Sequence, residues 1–324
     1  MHAWTQPLIF ASLLLPFVGC GGDKAPHETG VAGPTVVEGT VRFVALGDAG
    51  EGNEAQYAVA DAMETVCESK GCDFALYLGD NFYNSGVDSV DDEQWQEKFE
   101  LPYADIDFPF YAALGNHDYG NSGAGNVYEQ VDPQIAYTEQ SSKWFMPARS
   151  YRQDEQHVSL YAIDTNAVLW DTVWGGAEDQ GAWLDAEIAD SPNLWRIAYG
   201  HHPYLSNGRH GNAGTYEGVE GVPVLSGDTV KTFMESHICG QIDVYFSGHD
   251  HTMQWLEPSC GTEWVVSGVG SKLTTLEGRG NPTHFESDTN LGFLWVEIVD
   301  ATLSAAFYDE AGTVLYETSV TKAN

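Results

Sequence analysis

The chain has few positive charges. Of its 324 residues, 13 are lysine or arginine and 48 are aspartate or glutamate, so the formal net charge is −35 at pH 7. Such a surface argues against nucleic acid or an anionic membrane as a partner. It also repels phosphorylated small molecules at long range, so a site for such an anion needs strong local positive charge. We interpret the excess of acidic residues as a surface that keeps the protein soluble in a salty medium, where salt screens the repulsion between its negative charges.

Cysteine is scarce, and no C-x-x-C pair is present, which argues against a zinc–thiolate site. If the protein is exported, the four cysteines that follow residue 38 predict two disulfides. The pairs Cys67–Cys72 and Cys239–Cys260 are favoured. The first would join a helix end to the next strand, and the second would lie at one end of a hairpin. Crossed pairings and four buried free thiols are the alternatives.

Long apolar runs are absent after residue 20, so no transmembrane helix is predicted there. The apolar run Pro7–Val18 is too short to span a bilayer and is typical of a signal-peptide core. The letters FVGC and the glycine-rich stretch after them resemble a bacterial lipoprotein signal with a lipidated Cys20. Ordinary secretion with an unmodified cysteine is the alternative. We predict a signal peptide at 1–20, a flexible tether at 21–38 and one folded domain at 39–324.

From Thr40 onward, short apolar runs alternate with amphipathic stretches. Buried strands are predicted at VRFVAL, FALYL, FYAAL, SLYAIDT, WRIAY and DVYFS, with helices between several of them. After Thr262 only strands are predicted. This order indicates an α/β core closed by a β-rich layer. Segments around 120–155 and 203–226 exceed the usual length of a connection and are typical of binding loops.

Five of these strands end in the same way, with a glycine followed at once by aspartate, asparagine or histidine. The five turns read GDAG, GDNFY, GNHD, GHHP and GHDH, and they contain Asp48, Asp80, Tyr83, Asn116, His117, His201, His202, His249 and His251. One such turn is usually structural. Because ligands of α/β sheets bind beyond the carboxyl ends of the strands, five turns in this order predict one shared site.

The donor types in these turns indicate a pair of metal ions. Two aspartates, an asparagine, three histidines and a tyrosine are too many donors for one tetrahedral zinc ion. They suit two six-coordinate ions that share a bridging carboxylate. Paired ions of this kind clamp the attacking and leaving oxygens of a phosphoryl transfer.

The order of the motifs resembles the calcineurin-like metallophosphoesterases and, within them, the purple acid phosphatases, whose pattern is DxG, GDxxY, GNH[DE], xxxH and GHxH. The similarity runs from Thr40 to the end of the chain, includes RHG after the fourth motif, and is greatest to the small tartrate-resistant (mammalian-type) branch. It implies an α/β sandwich of two packed mixed β-sheets flanked by helices. Most other calcineurin-like metallophosphoesterases carry histidine where this chain has Gly50, and this chain supplies Tyr83 instead. A phenolate favours a trivalent ion, so the resemblance implies an Fe(III) site.

The resemblance also implies roles for individual residues. Fe(III) would be held by Asp48, Asp80, Tyr83 and His251, and a divalent ion by Asp80, Asn116, His201 and His249, with Asp80 as the bridge. The divalent ion would be Fe(II), Zn or Mn. His117 and His210 are assigned phosphate positioning and protonation of the leaving group. His202 is expected to support the site or touch substrate without binding metal, Asp118 to be a structural partner, and His157, His237 and His284 to be ordinary polar positions.

These implications predict an exported acid phosphatase, in which a metal-bound hydroxide attacks phosphate monoesters. No G-x-S-x-G motif indicates a serine nucleophile. One alternative is a phosphodiesterase or nucleotidase on the same site. Another is a surface lipoprotein that binds iron or phosphate without turnover, or a redox iron protein, but neither needs His117 and His210. We expect a monomer in the periplasm or on the surface of a bacterium, with small phosphorylated substrates and no membrane contact beyond a lipid anchor at Cys20.

Overall fold

The computed structural model describes residues 39–322. The predicted signal peptide, tether and lipidated Cys20 lie outside these residues, so the division of the chain into segments stays a prediction. The described strands are β1 (Thr40–Leu46), β2 (Phe74–Leu78), β3 (Phe110–Ala113), β4 (Trp144–Phe145), β5 (Tyr151–Glu155), β6 (Val158–Ala162), β7 (Trp195–Tyr199), β8 (Val244–Ser247), β9 (Met253–Leu256), β10 (Glu263–Ser267), β11 (Thr283–Ser287), β12 (Gly292–Val299), β13 (Thr302–Asp309) and β14 (Val314–Thr321). The α-helices are α1 (Glu54–Lys70), α2 (Asp132–Tyr137), α3 (Thr165–Leu169), α4 (Asp171–Trp174), α5 (Ala177–Asp190), α6 (Pro223–Ser226) and α7 (Asp228–Phe233).

The strands form two mixed sheets of seven strands each. The first has the order β14-β13-β12-β1-β2-β3-β4, and the second has the order β11-β9-β10-β8-β7-β6-β5. In the first sheet β1 to β4 are parallel, whereas β12 to β14 pair in antiparallel fashion. In the second sheet β6, β7, β8 and β10 are parallel. The predicted α/β architecture and its strand-only final part are confirmed.

The main core lies where the two sheets face each other. Phe43 of β1 meets Phe246 of β8 edge to face, with ring centroids 5.9 Å apart. The Tyr151 hydroxyl of the second sheet donates to the Ala112 carbonyl of the first at 3.0 Å. Every residue of β2 is buried because α1 covers the other face of its sheet. Strands buried on both faces read as continuous apolar runs, which is why FALYL shows no alternation.

The ends of α1 follow from local chemistry. The Asn53 side chain accepts from the backbone N–H of Gln56 at 2.9 Å and caps the start of the helix. Gly71, at φ 85°, ends it. After Trp95 the chain forms a short π-helical turn, Gln96–Glu100. Within residues 39–322, none of the helices combines the length and apolar composition needed to cross a membrane.

The favoured disulfides, Cys67–Cys72 and Cys239–Cys260, are both present. The first joins the end of α1 to the start of β2, as expected. The second has a different basis from the predicted hairpin. Cys239 precedes β8, Cys260 precedes β10, and these two strands are parallel neighbours, so their starts lie at the same edge. Disulfides of this kind are typical of an oxidising compartment.

His157, which the sequence suggests is an ordinary polar position, is buried at the turn between β5 and β6. It is 1% exposed, and neither ring nitrogen has a hydrogen-bond partner. Burial lowers the pKa of its imidazole below the usual value of 6.5, against an opposing attraction from Asp300. Below a pH of 6.5, His157 takes up a proton in the unfolded chain, whereas its burial in the folded protein resists protonation. The free energy of unfolding therefore falls as the pH drops.

We therefore expect His157→Leu to raise the melting temperature by on the order of 2 °C at pH 5, and by less at pH 8. His284→Leu, at an exposed position of β11, is the control and should show no such pH dependence. Thermal unfolding followed by circular dichroism measures both variants. An equal gain at the two pH values would contradict the assignment of the effect to protonation.

Candidate metal centre

The five glycine turns converge at one edge of the sandwich. Three of them follow β1, β2 and β3, which are neighbours in the first sheet, and two follow β7 and β8, which are neighbours in the second. The structure brings together all seven predicted ligands: Asp48, Asp80, Tyr83, Asn116, His201, His249 and His251. A hydrogen bond spans the two sheets at this point, from the backbone N–H of His249 to Asp48 Oδ2 at 2.9 Å.

The first group of donors surrounds the Tyr83 hydroxyl and is called the phenol group here. This hydroxyl lies 2.9 Å from Asp48 Oδ1, 2.9 Å from Asp80 Oδ2 and 3.4 Å from His251 Nε2. His251 Nε2 is also 3.4 Å from Asp48 Oδ1. The four side chains are those predicted for the ferric ion.

The second group of donors surrounds His201 Nε2 and is called the imidazole group here. This nitrogen lies 3.1 Å from Asn116 Oδ1, 3.1 Å from His249 Nδ1 and 3.4 Å from Asp80 Oδ2. Asp80 Oδ2 therefore belongs to both groups, which is the position that a bridging carboxylate requires. Donor atoms of Asp48, Asp80 and His201 all lie within 4.8 Å of one another.

Hydrogen bonds behind the donors orient them for metal binding. His201 Nδ1 lies 3.0 Å from the Leu78 carbonyl, to which it can only donate, so its Nε2 presents a lone pair to the group. The Asn116 amide donates to the Gly123 carbonyl at 2.9 Å, which turns Oδ1 inward. A histidine held through its other nitrogen by a carbonyl is typical of metal ligands. The residues present thus fit two cations.

The electrostatics of the cluster favour the same interpretation. Burial and the carboxylates of Asp48 and Asp80 raise the pKa of the Tyr83 phenol well above its usual value. Burial, together with His210 and the other imidazoles nearby, holds the pKa of His249 well below its usual range. These shifts arise because like charges would be buried side by side without counter-ions. Cations among the donors would supply the missing charge.

The backbone at the site is strained at the donors themselves. Asp48, Asp80 and His249 lie in the left-handed region, with φ of 57°, 53° and 68°. Each such residue costs on the order of 1–3 kcal/mol. The glycines of these turns mainly leave space for the neighbouring donor side chains. A Cβ on Gly248, for example, would lie 2.5 Å from Asp48 Oδ2. The strain is typical of functional sites, where the surrounding fold imposes the conformation.

His117 lies beside the phenol group. Its backbone N–H donates to Asp80 Oδ1 at 2.8 Å, and its Nδ1 lies 2.8 Å from the Asn84 carbonyl. Because a carbonyl only accepts, Nδ1 carries the proton, and Nε2 lies 4.0 Å from Asp80 Oδ2. Its ring packs on Tyr83 with centroids 4.4 Å apart. The second ring nitrogen is therefore placed at the edge of the cluster.

His210 lies beside the imidazole group, with its ring centroid 4.1 Å from that of His249. Two residues that the sequence analysis missed hold it there. Asp250 accepts from the His210 backbone N–H at 2.7 Å and from Ser206 Oγ at 2.5 Å. Glu217 bonds His210 Nδ1. Asp250 stands between the motif histidines His249 and His251, so the sequence could have indicated its role. Glu217 lies in the long segment around 203–226, where no motif indicates its role.

His202 and Asp118 lie behind the donors. The His202 Nδ1 is 2.9 Å from Thr165 Oγ1, and the ring is 4.5 Å from that of His249. Asp118 accepts from the backbone N–H groups of Asn81 at 3.0 Å and Gly115 at 2.8 Å. Asp118 thus ties the turns after β2 and β3 together, the structural position expected of it.

One cation of this acidic chain also lies at the site without any sequence signal. Lys272 Nζ is 3.1 Å above the centre of the Tyr83 ring and pairs with Glu51 at 2.7 Å. An ammonium over an aromatic face is attracted by the ring electrons. It adds local positive charge where an incoming anion would need it.

Comparisons with known proteins identify the family of this chain. Residues 41–253 match the family of calcineurin-like phosphoesterases. Tartrate-resistant acid phosphatase type 5 of Oryctolagus cuniculus is 30% identical over 363 aligned positions, which cover 99% of each chain. Purple acid phosphatase 3 of Arabidopsis thaliana is 28% identical over 312 positions, covering 87% of this chain and 78% of that protein.

A solved structure described as GAP50, the anchor in the inner membrane complex of Plasmodium, shares the fold. Its TM-score is 0.70 at 22% identity, with 88% of this chain and 90% of that chain covered. The full-length similarity to the acid phosphatases implies a binuclear metal centre that contains iron. The chain therefore belongs to the calcineurin-like phosphoesterases and, within them, to the purple acid phosphatases, which are metal-dependent hydrolases of phosphate monoesters.

Proposed function

We propose that this chain is an exported acid phosphatase with an Fe(III)–M(II) centre, in which M is Fe(II), Zn or Mn. The observation that carries the proposal is the position of Asp80 Oδ2, which lies in both donor groups, whereas the Tyr83 hydroxyl lies in one. Because the hard phenolate donor lies in only one of the two groups, this arrangement supports two unequal ions, with the harder ion in the phenol group.

Under this proposal the phenol group holds Fe(III) and the imidazole group holds the divalent ion. Asp48, Asp80, Tyr83 and His251 would be ligands of the first, and Asp80, Asn116, His201 and His249 of the second. When bound, the two ions supply Lewis acidity toward the phosphate and activate water. They also provide the local positive charge that an anionic substrate needs against a net charge of −35.

The protein's own residues would position the substrate and handle the proton. His117 places Nε2 at the phenol group because its Nδ1 is held by Asn84, and this nitrogen is available to a phosphate oxygen. Glu217 holds His210 by Nδ1, which leaves Nε2 for the ester oxygen that departs. A positioned acid at the leaving group contributes about 10²–10⁴-fold to the rate.

The proposal is tested by the rates of p-nitrophenyl phosphate and bis(p-nitrophenyl) phosphate hydrolysis by the metal-loaded protein. We expect the monoester to react on the order of 10²-fold faster in kcat/KM, since two cations stabilise a dianion better than a monoanion. Equal or faster diester cleavage would favour the phosphodiesterase alternative. No hydrolysis of either ester by protein that contains two metal ions would favour the non-catalytic alternative.

His210→Ala is expected to keep both metals and to lower kcat by on the order of 10²–10⁴-fold for alkyl phosphates, whose alkoxides need a proton. The loss should be smaller for p-nitrophenyl phosphate, because p-nitrophenolate leaves without protonation. His237→Ala is a matched control, since that histidine is similarly exposed and pairs with a carboxylate, Asp185, at 3.0 Å. Metal analysis and steady-state kinetics measure both variants. A His210→Ala protein without metals would contradict the assigned role.

Export is supported by the two disulfides, which persist in oxidising compartments. We extend the proposal to a bacterial protein of the periplasm or cell surface, monomeric and anchored through a lipid on Cys20. Mass spectrometry of the mature N-terminus tests the export signal and the lipid anchor. A chain that begins with an acylated Cys20 supports the anchor, and one that retains Met1 contradicts export by this signal.

A further inference from the structure

A pocket opens beside the imidazole group, with a volume of about 360 Å³. This volume lies within the range of about 300–1,000 Å³ that is typical of small-molecule sites. Asn116, His202, His210 and His249 line the end next to the metal centre. Leu169, Trp170, Val224 and Leu225 also line the pocket and are called the apolar wall here. The pocket therefore combines polar side chains of the metal centre with an apolar wall.

The polar groups around the apolar wall either have partners or are shielded: the Trp170 indole N–H has no hydrogen-bond partner, but the nitrogen is itself buried. The Tyr216 hydroxyl bonds the Pro203 carbonyl, and the Glu217 carboxylate bonds His210. Among the described residues that line this wall, none offers a free carboxylate, ammonium or hydroxyl to a ligand. A polyol would thus lose hydrogen bonds to water on entering, whereas an apolar group would not.

The apolar wall is connected through backbone hydrogen bonds to the loop that carries His210. The Glu217 backbone N–H donates to the His210 carbonyl at 3.0 Å, and α6 follows directly after this segment. On the other side, Thr229 of α7 donates to the Leu169 carbonyl at 3.4 Å. Part of the apolar wall stays exposed to solvent, since Leu225 is 54% exposed. Exposed apolar surface that continues into a cleft is a feature of ligand-binding grooves.

We infer that this pocket binds the alcohol part of the substrate and selects phosphate monoesters of apolar alcohols, above all those with an aromatic ring, over esters of small polyols. The inference rests on the proposed function, which places the phosphate at the metal centre. With the phosphate there, the ester oxygen lies near His210, and the rest of the alcohol extends toward Trp170 and Leu225. A ring buried against them adds affinity in proportion to the apolar area covered.

The test compares 3-phenylpropyl phosphate with n-propyl phosphate. Both release a primary alkoxide of similar basicity, so the ratio of their kcat/KM values reports the distant ring and not the leaving-group chemistry. We expect a ratio of about 10 or more in the wild type, from burial of part of a phenyl ring. A ratio near one would overturn the inference.

Leu225→Ser should lower this ratio about threefold, because it removes part of the apolar wall. Leu101→Ser is the matched control, since Leu101 is 53% exposed, compared with 54% for Leu225, and lies outside the pocket. The control should keep the wild-type ratio. An unchanged ratio in Leu225→Ser, or an equal fall in Leu101→Ser, would overturn the assignment of the wall.

Calorimetry with 3-phenylpropylphosphonate and propylphosphonate separates this inference from the proposed function. Tighter binding of the phenyl compound by about 10-fold supports the pocket even if the protein hydrolyses neither ester, and in that case the proposed function fails alone. Hydrolysis of both esters with equal binding of the two phosphonates has the opposite meaning: the function stands and the pocket assignment is wrong.

Discussion

Asparagine in place of Asp80 is expected to remove both metals and to lower phosphatase activity by on the order of 10³-fold or more. Asp80 Oδ2 lies 2.9 Å from the Tyr83 hydroxyl and 3.4 Å from His201 Nε2, so one oxygen serves both donor groups. The amide removes the negative charge that holds two cations together, and each metal contributes several kcal/mol of transition-state stabilisation. Metal analysis of the purified variant and its kcat measure the effect.

Asp164→Asn is the control for this substitution. Asp164 is also a buried carboxylate, but it caps α3 through the backbone N–H of Ala167 at 2.9 Å and does not belong to either donor group. Asparagine is an equally good helix cap, so this variant should keep its metals and its activity. An Asp80→Asn protein with the wild-type content of both metals would show that the bridge is assigned to the wrong residue.

Tyr83→Phe is expected to abolish visible colour and to weaken iron retention while leaving the fold intact. If the phenolate binds Fe(III), charge transfer from ring to metal gives a broad visible band, and the wild type should be purple to pink. Phenylalanine keeps the packing volume and removes only the oxygen donor, so the folded structure should change little. The visible spectrum, iron analysis and circular dichroism together report the three properties.

Tyr161→Phe is the matched control, because Tyr161 is fully buried in β6 and its hydroxyl has no hydrogen-bond partner. Removing that hydroxyl should change neither colour nor iron content. The decisive wild-type measurement is made on protein loaded with two irons and oxidised with peroxide. If that sample is colourless, the Fe(III)–phenolate assignment is wrong, although membership of the calcineurin-like phosphoesterases would stand on the sequence similarity.

The donor residues were predictable from the sequence because their signal is local. Each stands within a few residues of a glycine that ends an apolar run, as with Asp80 after Gly79 or His249 after Gly248. The carboxyl ends of neighbouring parallel strands meet at one edge whatever the details of packing. Strand type and turn position were therefore enough to indicate which side chains share a site. Both favoured cysteine pairs were right, and for the first the reason also held, since Cys67–Cys72 joins the end of α1 to the start of β2.

Only the tertiary structure decided how these residues are arranged. The contact between His249 and Asp48 joins positions 201 residues apart, and the order of strands in the sheets determines it. The same order makes β8 and β10 parallel neighbours, which gives the second disulfide a different basis from the expected hairpin. The sharing of one Asp80 oxygen by two groups also depends on the way the two sheets face each other.

The supporting residues depended on the tertiary structure for the same reason. Glu217 and Lys272 act from loops, and Leu225 of the apolar wall lies on the short helix α6. None of these segments carries a motif, and they reach the site because the sandwich brings distant segments to one edge. His157 reads as an ordinary polar residue, yet packing leaves it 1% exposed and without a hydrogen-bond partner. Local sequence determined which chemistry the strand ends carry, whereas long-range packing decided what surrounds it, because burial and contact depend on residues far away in the chain.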